Sequence, residues 1–466
     1  MDVLLSTGEQ SGDILEREVT EHLQALSGRT LDIAAVGGRR TLAHGVRGLV
    51  DPTRLATLGV EPDKLRLWRQ VLKYTIALLQ KDPPKVFIGI THHLFNYILA
   101  ENLPKTTYRI MVEPPEAWGW QASDLTRGVA SILNAPAARS VSKRHALHLV
   151  ANRDSACLER FNRVFCCTQL TRQYYEALAK DMPTALAQVE YVGRPEARLR
   201  RSEDDRESLQ IRQHLGIPPD HHILSVFPGS RERNVRELLP TMLRAVRGIL
   251  ERHRYVTAVV SVADPGFVQD VEPILKKEWP AWPATPRVIT TYTDEAAPLL
   301  CASSHAVLSS GTITLQAAVL GVHATVGYDL GIRAERWRSR IFPYLTRALL
   351  ARHCFVQPGN KTPMPFALPN AIVAVESNET VEPPYDECCL EQFDARRIQD
   401  SIEKRMFACG EERYSPEVHR AHLRLSPEMV ERVRDGVRPP PPIAEGDSMK
   451  RVAEVAWQEI QKARNV

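Results

Sequence analysis

The 466-residue sequence lacks any apolar run long enough to cross a bilayer. Its first residues, MDVLLSTGEQSGD, have neither the basic start nor the long apolar core of a secretory signal peptide. These absences argue against a membrane-spanning or secreted protein and predict a chain that folds in the cytoplasm. The sequence also has no basic tail and no RNA-binding motif, and its net charge is only +4. So mild an excess fits anionic ligands or lipid headgroups and predicts no nucleic-acid partner.

The 8 cysteines include no Cys-x-x-Cys pair of the kind that binds zinc. We therefore expect reduced, mostly buried thiols and no metal site. A content of 43% hydrophobic and 25% charged residues is typical of a soluble globular protein. Because the chain is longer than one hydrophobic core usually serves, two domains are expected.

Short apolar stretches alternate with helical patterns along most of the chain. Residues 3–5, 33–36, 86–90 and 109–112 read as buried strands in the first half, and the alternation resumes after a polar stretch at 194–220. The pattern predicts an α/β protein with two Rossmann-like, doubly wound domains that face a cleft. We expect these domains at 1–200 and 215–393, followed at 394–466 by helices with a Pro-rich linker and a last helix that packs back on the body.

Two strand-to-helix turns in the second half are candidate phosphate sites. PGSR and SSGTITLQ each follow an apolar strand, and the N–H groups at a helix N-terminus suit an anion. An ordinary N-cap turn would explain either stretch alone. Because both strands belong to one predicted sheet, the two turns together predict a diphosphate site, with the guanidinium of an arginine added. Its residues would be Gly229, Ser230, Arg231, Ser310, Gly311 and Thr312.

The turn after the first strand, TGEQSGD, is the candidate site of the other half. Gly8 and Gly12 allow a tight helix entry at the carboxyl end of the strand, where open α/β sheets bind ligands. Glu9 and Asp13 are acidic candidates for catalysis in this turn. The alternative is that Asp13 caps the helix and Glu9 is solvated.

A basic amphipathic helix is predicted at 65–81, LRLWRQVLKYTIALLQK. Its apolar residues recur at helical spacing, while arginines and lysines tend to the other side. With Trp68, such a helix can lie on an anionic membrane surface. A helix that covers the sheet and keeps its charges in water fits the pattern equally well.

Ten short motifs then occur in one order along the chain: TGEQSGD, Val36-Gly37-Gly38, Leu58-Gly59-Val60, Phe95-Asn96, Trp118-Gly119-Trp120, Tyr191-Val192-Gly193, PGSR, SSGT with TLQ, Gly327-Tyr328 and Leu368-Pro369-Asn370. Together they resemble the lipid-A-disaccharide synthase family, bacterial glycosyltransferases of the GT-B fold. The resemblance implies transfer of 2,3-diacylglucosamine from UDP to a diacylated glucosamine 1-phosphate, in lipid A biosynthesis and without a metal or other cofactor. No Asp-x-Asp lies at a predicted strand end, which agrees with metal independence.

The same resemblance implies an acceptor domain at 1–200, a UDP-sugar domain at 215–393 and a peripheral place at the inner face of the cytoplasmic membrane. It adds Asn96, Arg194, Gln316 and Asn370 to the substrate-binding residues. Gln316 stands where the family has a Glu placed to bind the ribose hydroxyls, and Arg194 stands where it has a His. Whether the chain forms a homodimer stays open.

The sequence departs from the family where a general base is expected. Thr91 stands in place of an Asp, and a threonine cannot accept a proton at neutral pH, so His92 or His93 would have to take that role. Their side chains should diverge in an extended segment, and His92 is nearer to the family's Asp position. Two alternatives stay open: a UDP-sugar transferase with another acceptor, and a catalytically silent relative that binds a nucleotide-sugar or a lipid.

Overall fold

The computed structural model describes residues 1–8, 10–28, 31–50, 62–115, 153–201, 206–263, 265–280, 287–292, 295–329, 365–376, 382–389, 392–408, 410–445 and 447–464. These residues form two compact units. The first unit contains the described parts of 1–197 and 436–464. The second unit contains the described parts of 198–329 and 365–435.

The first unit is built on a seven-stranded sheet in the order β3-β2-β1-β4-β5-β6-β7, in which every neighbouring pair is parallel. Its strands are β1 Val3–Ser6, β2 Ile33–Val36, β3 Arg47–Val50, β4 Val86–Ile90, β5 Tyr108–Val112, β6 Arg163–Cys166 and β7 Gln188–Tyr191. Its helices are α1 Gln10–Ser27, α2 Arg39–Leu42, α3 Pro62–Lys81, α4 His93–Glu101, α5 Arg153–Arg160 and α6 Gln169–Lys180. The central strands β1, β2 and β4 are buried along their whole length, as continuous apolar runs in a parallel sheet require.

The second unit is built on a six-stranded parallel sheet in the order β10-β9-β8-β11-β12-β13. Its strands are β8 His222–Phe227, β9 Val256–Val262, β10 Val288–Tyr292, β11 His305–Leu308, β12 Ala324–Tyr328 and β13 Asp386–Cys389. Its helices are α7 Arg206–His214, α8 Glu232–Arg252, α9 Val268–Glu278, α10 Ala297–Ala302, α11 Thr312–Val319, α12 Leu368–Glu376, α13 Ala395–Met406, α14 Pro416–His422 and α15 Pro427–Asp435. The predicted α/β class with two Rossmann-like sheets is confirmed.

Both sheets reverse their strand order beside their first strand. In the first unit β1 lies between β2 and β4, and in the second unit β8 lies between β9 and β11. The helices that follow the two strands at such a point leave on opposite faces of the sheet, which opens a crevice at the carboxyl ends of the strands. The turns after β1 and β4, and those after β8 and β11, therefore border the crevice of their own sheet.

The last helix, α16 Ser448–Arg464, returns to the first unit. Its apolar face, including Met449, Val452 and Ile460, shares a core cluster with Val19 and Leu23 of α1. The stretch before it differs from the exposed linker that its composition favours, because α14 and α15 form there. These two helices bury His419, Val433 and Arg434 in the second unit.

The basic helix α3 begins at Pro62, three residues before the predicted start. Leu79 is buried, and Val71, Leu72 and Ile76 pack against the core cluster of their unit. The apolar stripe therefore covers the sheet over this part of the helix, as the second interpretation of the pattern proposed. The side chain of Trp68 lies outside the described residues. Within the described chain, no helix combines the length and apolar character that spanning a bilayer requires.

Candidate functional site

The turns after β8 and β11 are direct neighbours in the second sheet. Leu308 pairs with Phe227 in the parallel ladder, and the N–H of Ser309 donates to the carbonyl of Phe227 at 2.9 Å. Gly229 and Gly311 have φ angles of 114° and 145°, which side chains rarely adopt. The two glycine turns therefore place the N-termini of α8 and α11 at one edge of the sheet, as two ends able to face the same anion.

Arg231 is the N-cap residue of α8 and is half-buried. Its charge acts on Tyr328, the last residue of β12. Burial raises the pKa of Tyr328 to about 12, while Arg231 and Arg233 oppose that rise. Because it follows the turn after β8, Arg231 lies at the carboxyl edge of the sheet. Ser230 is exposed beside it.

The hydroxyl of Ser310 is engaged within the protein. It donates to the carbonyl of Phe366 at 2.6 Å, and the ring of Phe366 lies 5.8 Å from that of Tyr328. A hydroxyl has one proton, so in this arrangement Ser310 offers an anion its backbone N–H rather than its side chain. Gly311 is exposed, and Thr312 and Gln316 are half-buried on the first turns of α11.

Asn370 has a different environment from the one that its predicted substrate-binding role suggests. It is 2% exposed, and its amide binds both backbone groups of Tyr385, at 2.9 and 3.0 Å. It also donates to Glu387 at 2.8 Å. Burial raises the pKa of Glu387, and its bonds to Ala367, Phe366 and Asn370 oppose the rise. The geometry favours Asn370 as a residue that holds α12 on β13.

In the first unit, Asn96 joins the two turns at the crevice. It is fully buried on α4, and its amide nitrogen donates to the carbonyls of Ser6, Ile90 and Thr91 at 3.3, 3.4 and 3.0 Å. The hydroxyl of Ser6 donates back to the Asn96 oxygen at 2.7 Å. Thr7 Oγ1 lies 3.4 Å from Thr91 Oγ1 across the same crevice. Asn96 thus orients both turns, and its amide is used for that purpose.

The two candidate histidines occupy different positions. The expectation of an extended segment is wrong, because Thr91 and His92 have φ angles of 51° and 33° and His93 opens α4. The His92 ring lies against Gly8, where a Cβ would overlap it, so Gly8 keeps this close approach open. The His93 ring turns toward the carbonyl of Glu113, 3.2 Å from Nε2. His92 is therefore the one of the two that stands beside the β1–α1 turn.

Asp13 caps the turn after β2. Its carboxylate accepts the N–H groups of Gly38, Arg40 and Thr41 at 3.1, 3.0 and 3.2 Å, and the Thr41 hydroxyl at 2.8 Å. The same hydroxyl lies 3.1 Å from Glu16, a contact that is satisfied when Glu16 is protonated. Burial raises the pKa of Glu16 well above its usual value, with the charge of Asp13 adding to the rise. Asp13 is thereby committed to a cap, and Glu9 lies outside the described residues.

Arg194 forms a buried ion pair with Glu113. Its side chain is 7% exposed, and burial lowers its pKa while the neighbouring Glu196 opposes the shift. The carbonyl of Glu113 also contacts Nε2 of His93. We therefore expect the ion pair with Arg194 to help to orient Glu113 and, through it, His93. Glu113 itself has a φ of 53°.

Sequence reasoning missed two polar groups at these sites, the buried Ser6 and the half-buried Glu387. Ser6 is the partner of Asn96, and Glu387 holds the segment that receives Ser310. Neither stands in a recognisable motif, since Glu387 belongs to a four-residue strand with weak patterning. Two motifs of three residues each lie outside the described residues: Leu58-Gly59-Val60 and Trp118-Gly119-Trp120.

Two Rossmann-like parallel sheets, each of which reverses its strand order beside its first strand, define an α/β protein of the GT-B type. The family model described as lipid-A-disaccharide synthetase matches residues 3–134 and 182–333. The chain therefore belongs to the lipid-A-disaccharide synthetase family.

Relatives that carry the family's name agree with this assignment, and a solved structure shares the fold. The chain is 25% identical over 336 residues to the lipid-A-disaccharide synthase of Neisseria gonorrhoeae, covering 70% of this chain and 74% of that protein. It is 24% identical over 332 residues to that of Coxiella burnetii, covering 70% and 75%. The structure of UDP-GlcNAc 2-epimerase from Neisseria meningitidis bound to UDP-GlcNAc matches with a TM-score of 0.54 at 13% identity, over 98% of this chain and 100% of that one. That likeness shows the fold.

Proposed function

We propose that this protein transfers a diacylated glucosamine from UDP to a diacylated glucosamine 1-phosphate and so forms the disaccharide of lipid A. Family membership and the names of its relatives support the reaction class. The observation that carries the donor side is the adjacency of the turns after β8 and β11, with Arg231 at the same edge. This arrangement suits the diphosphate of a UDP-sugar.

The donor diphosphate would lie against the N–H groups of 310–312 and 229–231, with Arg231 supplying positive charge. As the bond from the sugar's anomeric carbon to the phosphate oxygen breaks, negative charge grows on UDP. Fixed N–H groups and a guanidinium stabilise that charge without reorganising, and this lowers the barrier to departure. In this mechanism these protein groups, and no metal ion, neutralise the negative charge on the departing UDP.

The acceptor hydroxyl must lose a proton as it attacks the anomeric carbon. We assign this proton to His92, because its ring stands beside the turn that follows β1 and because Thr91 cannot take it. His93, directed toward Glu113, would instead help to hold the loop. Since the acceptor carries acyl chains, we place the protein peripherally at the inner face of the cytoplasmic membrane.

The test is to incubate the purified protein with UDP-diacylglucosamine and a diacylated glucosamine phosphate and to measure disaccharide and UDP by mass spectrometry. Replacing Arg231 by Ala should lower UDP affinity about tenfold or more, since a charge-assisted bond is worth roughly 1.5–3 kcal/mol. Arg236→Ala is the matched control, because Arg236 lies on the same helix and pairs with Glu232 and Asp270. Unchanged UDP affinity in a folded Arg231 variant would refute the donor site.

The base is tested in the same assay. His92→Ala should lower turnover about a hundredfold while UDP affinity stays unchanged, because the variant lacks the group that takes the proton of the acceptor hydroxyl. His93→Ala is the comparison. If both variants keep wild-type turnover, the base lies elsewhere. If the wild type binds UDP but forms no disaccharide, the proposed reaction is wrong. The protein would then either use a different acceptor or bind a nucleotide-sugar without catalysis.

A further inference from the structure

The segment just before α12 is held from two sides. Glu387 accepts the N–H of Phe366 at 2.8 Å and the N–H of Ala367 at 3.0 Å. On its other side, the carbonyl of Phe366 receives the hydroxyl of Ser310 at 2.6 Å. One residue, Phe366, therefore connects the half-buried carboxylate of Glu387 on β13 to the turn that opens α11.

Glu387 also occupies the N-terminus of α12. The N–H groups at the start of a helix have no intrahelical partner and attract an anion. Here the carboxylate of Glu387 is that anion, and Asn370 in the first turn of the helix adds a third bond to it at 2.8 Å. Asn370 in turn binds the backbone of Tyr385, just before β13. The first turn of α12 is therefore held both by Glu387 and by the residue that leads into its strand.

We propose, on the basis of the function proposed above, that Glu387 is a positioning residue for the nucleotide site, which acts through Phe366 and Ser310. The carboxylate sets the place of the Phe366 carbonyl, and that carbonyl sets the place of the Ser310 side chain. The Ser310 side chain fixes the turn at Gly311, a glycine with a φ of 145°. The N–H groups of 310–312 then point in one direction before the diphosphate arrives.

This role differs from simply anchoring a helix. An anchor on α12 would affect the free energy of unfolding but leave UDP affinity of the folded protein unchanged. A positioning role predicts an effect on affinity that depends on Ser310. The two are separated by measuring UDP binding and thermal unfolding on the same variants.

The experiment is a double-mutant cycle of Glu387→Gln and Ser310→Ala, read by UDP calorimetry. Glutamine presents an NH₂ to one of the two N–H groups, so the segment must shift, and UDP affinity should fall about five- to tenfold. Ser310→Ala should cause a similar loss, and the double variant should be no weaker than the weaker single variant. Glu387→Asp keeps the charge and should restore part of the affinity.

Glu382→Gln is the matched control, because Glu382 is an exposed carboxylate a few residues earlier that pairs with Arg405. It should bind UDP as the wild type does.

The inference is wrong if Glu387→Gln binds UDP with wild-type affinity while Arg231→Ala binds UDP more weakly. In that case the proposed donor site is still supported. If the two losses of UDP affinity add up in the double variant, Glu387 and Ser310 act independently, and the inferred action of Glu387 through Ser310 is wrong. Absence of UDP binding by the wild type defeats the proposed function itself. Should Glu387→Gln fail to fold, the cycle is run with Glu387→Asp, and additivity or an unchanged affinity overturns the inference in the same way.

Discussion

Mild acid should destabilise the second unit because this unit buries neutral histidines. His222, His305 and His419 are each at most 1% exposed. Burial is the main cause that lowers their pKa values, to about 4, about 3 and about 2 respectively. For His419 the nearby cation of Arg201, 3.2 Å from its ring nitrogen, adds to the shift.

The direction and size of this change in the free energy of unfolding follow from the number of protons that each state binds. An unfolded histidine titrates near pH 6.5, whereas these three stay neutral in the folded unit until well below that value. The unfolded state therefore binds more protons as the pH falls, and stability is lost over this window. Between about pH 6.5 and about pH 5.5 each of these histidines should cost about 1 kcal/mol, so the three together should cost about 3 kcal/mol, and His323, whose pKa burial lowers to about 4, adds to that loss. Carboxyl groups with a raised pKa, such as Glu387, act in the opposite direction.

The assay is urea unfolding at the two pH values, followed by hydrogen exchange of peptides from β8 and β11. Peptides from β1 and β4 serve as the reference for the first unit. His305→Gln should remove about 1 kcal/mol of the pH dependence, because glutamine can keep the bond that His305 Nε2 makes with Thr325 at 2.9 Å and does not titrate. A loss below about 1 kcal/mol for the wild type, or an unchanged slope in the variant, would refute the reasoning.

Two further predictions concern the first unit. Asn96→Ala should cost about 2–3 kcal/mol in urea unfolding, because it leaves the Ser6 hydroxyl and three carbonyls without their amide; a cost below about 1 kcal/mol would mean that the two turns hold without it. Helix α3 exposes Lys73 and the 55% exposed Tyr74, so binding to anionic vesicles should weaken in high salt and with Lys73→Glu. If the wild type fails to sediment with such vesicles at low salt, the helix only covers the sheet.

Much of the fold could be predicted from the sequence because its signals are local. A buried parallel strand such as Val86–Ile90 is a continuous apolar run, and a glycine turn before a helical pattern marks its carboxyl end. Alternation of such units implies a doubly wound sheet, and in such a sheet ligands bind at the strand ends. The turns after β8 and β11 were therefore expected together, and they are neighbours. The roles of the residues in them stay predictions.

Tertiary structure decided how the buried polar groups pair. Asn96 and Ser6 are 90 residues apart, and Glu387 meets Phe366 from a strand whose pattern is weak. The backbone strain at Thr91 and His92 and the capping of the turn after β2 by Asp13 were equally invisible in the sequence. Local propensity acts over one or two helical turns, whereas a buried polar atom takes whichever distant partner the packed elements bring within bonding distance. The sequence by itself therefore determined the α/β class and the strand ends that form the candidate sites, and the packing decided which polar side chains at those ends are used to hold the turns.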